Sequence, residues 1–400
     1  MNAVLTANGA PKAIPDLLAR NAFVLTNAMV VTETECFSGS IEVNNGLITN
    51  VDRGAVSSPG AIDCEGAWLL PGLVELHTDN LEKYFAPRPG VSWPASSAVV
   101  THDAQIVASG ITTVFDAISV GDIIAGSTRV ENLSIMIKAL AKAREQGMQR
   151  AEHFLHLRCE VSHPEALDMF STLMNEDALR LVSIMDHSPG QRQFVNVDKY
   201  REYYGGKHGI KGSDMEKFID ERIEWSRRYS DRYRKAIAEI CHEREIPLAS
   251  HDDATIEHVA ESAYYGMRIA EFPTTLEAAQ TSNDLGLKVL MGAPNIVRGG
   301  SHSGNIAAAT LATEGLLDIL SSDYYPSSLL DGAFLLARMQ SNDYDLCRAV
   351  ATVSAAPAAS VGLSDRGSIS VGKRADLLLV TERQSQPLIR SVWSKGTRVF

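Results

Sequence analysis

The stretch LVELHTDNLE, Leu73 to Glu82, follows WLLPG and closes an apolar run with a histidine and an aspartate one residue apart. In an extended strand, residues two apart share a face. His77 and Asp79 therefore project together with Glu75 below them, while Val74 and Leu76 face the other way. An imidazole and a carboxylate aimed at one point are either a hydrogen-bonded structural pair or two ligands of one metal ion. The pair alone leaves both open, and the rest of the chain has to decide.

Seven further apolar segments follow: GITTVFDA (110–117), HFLHLRCEV (153–161), LVSIMDH (181–187), IPLASHD (246–252), RIAEFPT (268–274), KVLMGAPN (288–295) and LDILSSD (317–323). Helical stripes lie between them, for example Ala236, Ile237, Ile240 and Cys241, or Ile256, Val259, Ala260 and Ala263. Strands alternating with helices predict an α/β chain with a parallel sheet covered on both faces. Eight is also the number that closes a (β/α)8, TIM-like barrel. The segment from Ser188 to Glu245 is too long for one crossover and predicts a helical insertion over about 190–245.

The two ends read differently. FVLTNAMVVT, GSIEVNNGLITNVD and GAIDCEG near the start, and GSISVGKRADLLLVTE and LIRSVWSKGTRVF at the end, are short strands punctuated by turns, with Asn45-Gly46 as a hairpin signal. The expected layout is a flexible tail over 1–20, a small β-sandwich domain from 21–69 plus 362–400, and a barrel over 70–361. With 45% hydrophobic and 22% charged residues the composition is that of a soluble globular protein. No apolar stretch is long enough to span a membrane, and the start lacks a secretory pattern. Five scattered cysteines without a C-x-x-C fit a reducing cytoplasm. The net charge of −12 argues against nonspecific nucleic-acid binding. A small anionic substrate remains compatible if local cations or bound metal meet it.

In a barrel of this kind, chemistry sits where the strands end. Strand one ends in His77 and Asp79, strand three in Glu160, strand four in Asp186-His187, strand five in His251-Asp252-Asp253 and strand eight in Asp323. Each has a bland reading: Glu160 could pair with Arg158, Asp323 could cap a turn, and Asp252 or Asp253 could cap the helix starting near Ala254. Histidines and carboxylates arriving together from five strands form a metal-ligand set.

LPGLVELHTD, SGITTV, the later histidines, the closing aspartate and RGSISVGKRADLLLV resemble the amidohydrolase superfamily. The usual H-x-H of that superfamily is H-x-D here, and Glu160 stands in for its bridging lysine. Longer motifs, among them ELHTDNLEKYFAPRPGVSWP, MDHSPGQRQF, ASHDDAT, MGAPNIVRGGSHSGN and LSSDYYPSSLL, resemble one branch. That branch hydrolyses the 5-triphosphate of α-D-ribose 1-methylphosphonate to the 5-phosphate and pyrophosphate in the carbon–phosphorus lyase pathway. The resemblance runs from about Phe23 to ADLLLV. It implies two divalent ions, zinc, manganese or iron. His77, Asp79 and Asp323 would hold one, His187 and His251 the other, and Glu160 would bridge. Asp323 would also be the general base.

Superfamily members place the later histidines on strands five and six, whereas the count along this chain gives four and five. A sugar triphosphate also needs cations. Arg192 after a Pro-Gly turn, Arg298 and His302 in NIVRGGSHSGN, Arg88 in PRPG, and Lys207 in the insertion are the candidates. Alternatives are an amide or cyclic ureide hydrolase, a nucleoside triphosphate diphosphatase, and a catalytically silent scaffold. A homodimer is the prior for such an enzyme.

Overall fold

The computed structural model describes residues 22–88, 90–121, 129–301 and 304–400. The expected N-terminal tail and His302 lie outside them. Each of the eight apolar segments forms a barrel strand: Leu73–Thr78, Ile111–Val120, Glu152–Glu160, Leu179–Met185, Leu248–His251, Ile269–Glu271, Lys288–Gly292 and Ile319–Ser321. They are parallel neighbours in chain order. Val74, Leu76, Phe115, Leu181, Ala249, Ile269, Leu290 and Ile319 fill the interior. Sequence neighbours such as Ala270, Val289 and Leu320 pack in the outer clusters instead. Both faces of every strand are buried, which is why the strands read as nearly continuous apolar runs.

The barrel closes mainly at its rim. There Asp323 N donates to His77 O (3.0 Å), and Asp79 N donates to Asp323 O (2.9 Å). Lower down, residues 352–353 stand in the seam: Leu320 N donates to Thr352 O and Val74 N to Val353 O. Strand one also departs from strict alternation. Its pairing with strand two is irregular between Glu75 and Thr78. Leu76 packs in the barrel interior, yet the next ring, His77, also turns inward against Phe272, 4.9 Å away. Glu75 does not lie below His77. Its carboxylate accepts from His77 N (2.6 Å) and Ser322 N (2.5 Å), tying strand one to strand eight. Burial pushes its pKa up to about 8.

Between strands four and five lies the expected helical insertion, with no further strand among the described residues. The segment holds a 3₁₀ turn, Arg192–Phe194, and two helices, Val197–His208 and Ser213–Glu243. Asn196 caps the first helix by accepting from Asp198 N, and Gly209 at φ 70° ends it. Phe194, Tyr200, Tyr204, Met215 and Ile219 give this insertion its own small core. The strand count from the sequence therefore stands, with His187 just after strand four and His251 on strand five.

Both ends of the chain build one further sheet. Its order is Thr397–Arg398, Gln386–Ser394, Leu377–Arg383, Trp68–Pro71, Ala22–Val31, Cys36–Asn44, Leu47–Arg53, with Ile62–Asp63 beside Ala22–Val31. Asn45 and Gly46, at φ 50° and 78°, make the expected hairpin turn. The sheet curls until Ile48 N reaches Lys373 O, enclosing Leu25, Ile41, Leu69, Leu377 and Trp393. Glu152 on barrel strand three binds Arg366, Arg374 and Lys395 and joins the barrel to this sheet.

The strand Trp68–Pro71 enters barrel strand one through Gly72. A Cβ there would lie 2.3 Å from Thr112 Oγ1 and 2.9 Å from Asp376 Cβ. Gly72→Ala is expected to cost about 1–3 kcal/mol through overpacking. A thermal melt of the variant beside the parent checks this: an unchanged midpoint would mean that the joint gives way freely.

Candidate metal centre

The rim of the barrel opens into a cavity of about 710 Å³ lined by His77, Asp79, Arg158, Glu160, His187, His251, Asp252 and Asp323. Residues far apart in sequence meet here: the His77 and His251 rings are 5.8 Å apart, and His251 and His187 5.5 Å. The donor atoms fall into two groups. His77, Asp79 and Asp323 offer one atom each within 4.8 Å of one another, and so do His187, His251 and Asp252.

The first group is oriented from behind. His77 Nδ1 lies 3.1 Å from the buried Glu271 Oε1, which leaves Nε2 facing Asp79 Oδ1 at 3.8 Å. A carboxylate behind a histidine fixes the tautomer and aims the free lone pair. Burial, reinforced by the charge of Arg158, holds the His77 pKa down to about 3, so its ring stays neutral. Asp323 sits in the left-handed region at φ 54°, a conformation the rim hydrogen bonds impose. Burial and the neighbouring Asp79 push its pKa up to about 7.

The second group is built the same way. His187 Nδ1 contacts Glu160 Oε2 at 2.6 Å, and His187 Nε2 faces Asp252 Oδ2 at 3.5 Å. His251 Nδ1 is 2.9 Å from the same Asp252 oxygen but, though buried, has no hydrogen-bond partner of good geometry among the described residues. Burial opposes charge on His187, but Glu160 and Asp252 outweigh it and carry the pKa up to about 10. A bound cation would replace that proton. Ligands at about 2.0–2.2 Å from one ion lie roughly 3–4 Å apart. The atoms of each group lie within 4.8 Å of one another, and the orphaned His251 nitrogen supports the fit.

The geometry changes two expectations. Glu160 does not lie between the two groups. Its Oε1 accepts from Ser162 Oγ and His187 N, and its Oε2 meets His187 Nδ1, so both oxygens serve to orient His187. Asp252 provides the carboxylate of that group instead. Neither Asp252 nor Asp253 caps the next helix; the side chain of Thr255 does. Asp253 pairs with Arg192.

That pairing also removes Arg192 from the phosphate-binding set. Its guanidinium is 2% exposed and held by Asp253 and Glu261 outside the cavity lining. Arg88 follows the helix Asn80–Phe85, is exposed in a turn closed on Val91, and does not line the cavity. Arg298 and Lys207 do line it. Arg298 contacts Tyr324 Oη (3.4 Å), and Lys207 Nζ donates to Tyr203 Oη (2.7 Å).

Sequence reasoning missed Glu271 and undervalued Asp252 and Arg158. Arg158 pairs with Asp79 (2.8 Å), not with Glu160. The available signal for Glu271 was a lone acid between Ala270 and Phe272 at a strand end. A separate buried group, His102, Asp116 and His153, is closed by hydrogen bonds: Asp116 binds His102 (2.7 Å) and His153 (2.8 Å). With both carboxylate oxygens engaged it reads as a structural network.

Residues 108–400 match the amidohydrolase family. The chain is 54% identical, over 377 residues, to alpha-D-ribose 1-methylphosphonate 5-triphosphate diphosphatase of Escherichia coli (strain K12); the match covers 94% of this chain and all of that one. The fold is similar to 5-methylcytosine deaminase from Klebsiella pneumoniae (TM-score 0.61, 13% identity, 94% of this chain and 99% of that one). It is also similar to N-acetyl-D-glucosamine-6-phosphate deacetylase from Mycobacterium smegmatis (TM-score 0.62, 17% identity, 94% and 100%).

Removing the carboxylate behind a metal-binding histidine lowers metal affinity about 10- to 100-fold. Glu271→Gln is expected to show such a loss in a competition titration against a chromophoric chelator. Undiminished affinity would show that His77 needs no orienting partner.

Proposed function

The chain belongs to the amidohydrolase family, and on that premise we propose that it is a metal-dependent diphosphatase. In this reading it converts α-D-ribose 1-methylphosphonate 5-triphosphate to the 5-phosphate and pyrophosphate, in the cytoplasm. The observation that carries the reading is the charge layout of the cavity. Two metal-donor groups lie at its floor, and Arg158, Lys207 and Arg298 also line it. A neutral amide would leave Lys207 and Arg298 facing the cavity without an anion; a triphosphate uses them.

His77, Asp79 and Asp323 would hold one divalent ion and His187, His251 and Asp252 a second, whether zinc, manganese or iron. Bound there, such ions supply Lewis-acid polarisation of a phosphoryl oxygen and a lowered pKa for nearby water. The chain's own residues do the rest. The Asp323 carboxylate takes a proton from the attacking water. The water oxygen bonds to the phosphorus nearest the ribose, the bond from that phosphorus to the bridging oxygen breaks, and pyrophosphate departs. Lys207 and Arg298 bind the departing phosphates, Lys207 from the inserted helix Val197–His208 and Arg298 from the end of the helix Ala293–Arg298.

Purified protein with added divalent metal should release pyrophosphate and no orthophosphate from the ribose triphosphate, and a strong chelator should abolish the release. Orthophosphate as first product would sink the proposal. Asp323→Asn is expected to lower kcat about 10²- to 10⁴-fold, the usual worth of a positioned base. Lys207→Ala and Arg298→Ala should raise KM with little change in kcat, because they hold phosphates in ground and transition state alike. Steady-state kinetics separates these outcomes.

A further inference from the structure

We infer that Arg158 binds a non-bridging oxygen of the phosphoryl group under attack and is a catalytic residue of this site. The inference rests on the diphosphatase reading and adds to it the group that meets the charge developing at phosphorus.

Arg158 lies near the end of barrel strand three, two residues before Glu160, and its side chain is 14% exposed. Its guanidinium spans the two donor groups. One amino nitrogen donates to Asp79 Oδ1 of the first group at 2.8 Å. The other lies 3.3 Å from His251 Nε2 of the second. Its Nε is buried and has no hydrogen-bond partner among the described residues. A guanidinium carries five N–H donors in a planar fork, so part of that fork remains for an acceptor entering from the cavity. Arg158 lines the cavity beside both donor groups, where its remaining donors meet an anion seated there.

The charge is held in place for this task. Its pairing with Asp79 fixes the guanidinium, which stays charged at working pH. In phosphoryl transfer, negative charge spreads over the equatorial oxygens of the transferred group while the attacking and leaving oxygens stay in line. A fixed guanidinium beside that position stabilises the transition state without moving. Lys207 and Arg298, by contrast, are paired with tyrosine hydroxyls on other parts of the cavity wall.

The test compares the parent protein with Arg158→Ala and Arg158→Lys, following pyrophosphate release, metal content and thermal midpoint. Removing one such donor typically costs 10²- to 10³-fold in kcat. The expected result for Arg158→Ala is a loss of about that size with parental metal content, partly restored by added guanidinium ion. Arg158→Lys keeps the charge but not the fork, and is expected to lose roughly tenfold or more. Should Arg158→Ala fail to fold, the lysine variant carries the test alone, and parental kcat in it overturns the assignment. Parental kcat in Arg158→Ala also overturns it. So does a change in metal content, because the arginine would then act through Asp79 or occupy a metal position. A parent protein that releases no pyrophosphate overturns the diphosphatase reading instead. The arginine is then judged by inorganic pyrophosphate binding to the metal-loaded parent and variant, where equal affinity rejects it.

Discussion

The seam between the first and last barrel strands is the constraint on which the rest depends. Strands one and eight meet as a pair only at the rim, where His77, Asp79 and Asp323 exchange backbone hydrogen bonds. Those bonds put the side chains of two distant segments within reach of one ion. The carboxyl of Glu75 strengthens the same seam by accepting backbone N–H groups from both strands. Further down, residues 352–353 hold the strands apart. The seam is therefore closed where the donor atoms of His77, Asp79 and Asp323 sit.

Around that seam the site repeats one device. A buried carboxylate fixes one nitrogen of a histidine and leaves the other free: Glu271 does this for His77, and Glu160 does it for His187. The cost of burying these acids is offset because each has an imidazole or N–H partner. Arg158 then lies between the two groups and moderates the repulsion among Asp79, Asp323 and Glu271. The helical insertion completes the wall. Its aromatic core is independent of the barrel core, and it brings Tyr203, Tyr204, Lys207 and His208 to the cavity.

Much of this was legible along the chain. Eight apolar segments gave eight strands because each strand is buried on both faces, and burial on both faces leaves a long apolar mark. Acids and histidines at the ends of those marks were conspicuous for the same reason: His77, Asp79, His187, His251 and Asp323 all interrupt or close an apolar run. Asn45-Gly46 declared itself through chemistry local to the backbone. The strand alternation that placed Leu76 and His77 on opposite faces failed, because the pairing irregularity after Glu75 is set by the partner strand.

The sequence by itself determined the strand count, the barrel and the kinds of donor that reach its rim, since these follow from local pattern and residue type. Only the tertiary structure decided which cations face the cavity and which carboxylates bind or orient. Arg192 and Lys207 look alike in the chain, yet one is locked behind the wall by Asp253 and Glu261 while the other lines the cavity. Glu160 and Asp252 both close apolar strands, yet one stands behind His187 and the other beside it. The reason is physical: a charge takes its role from the opposite charges within a few ångströms, and those neighbours come from elements far away in sequence.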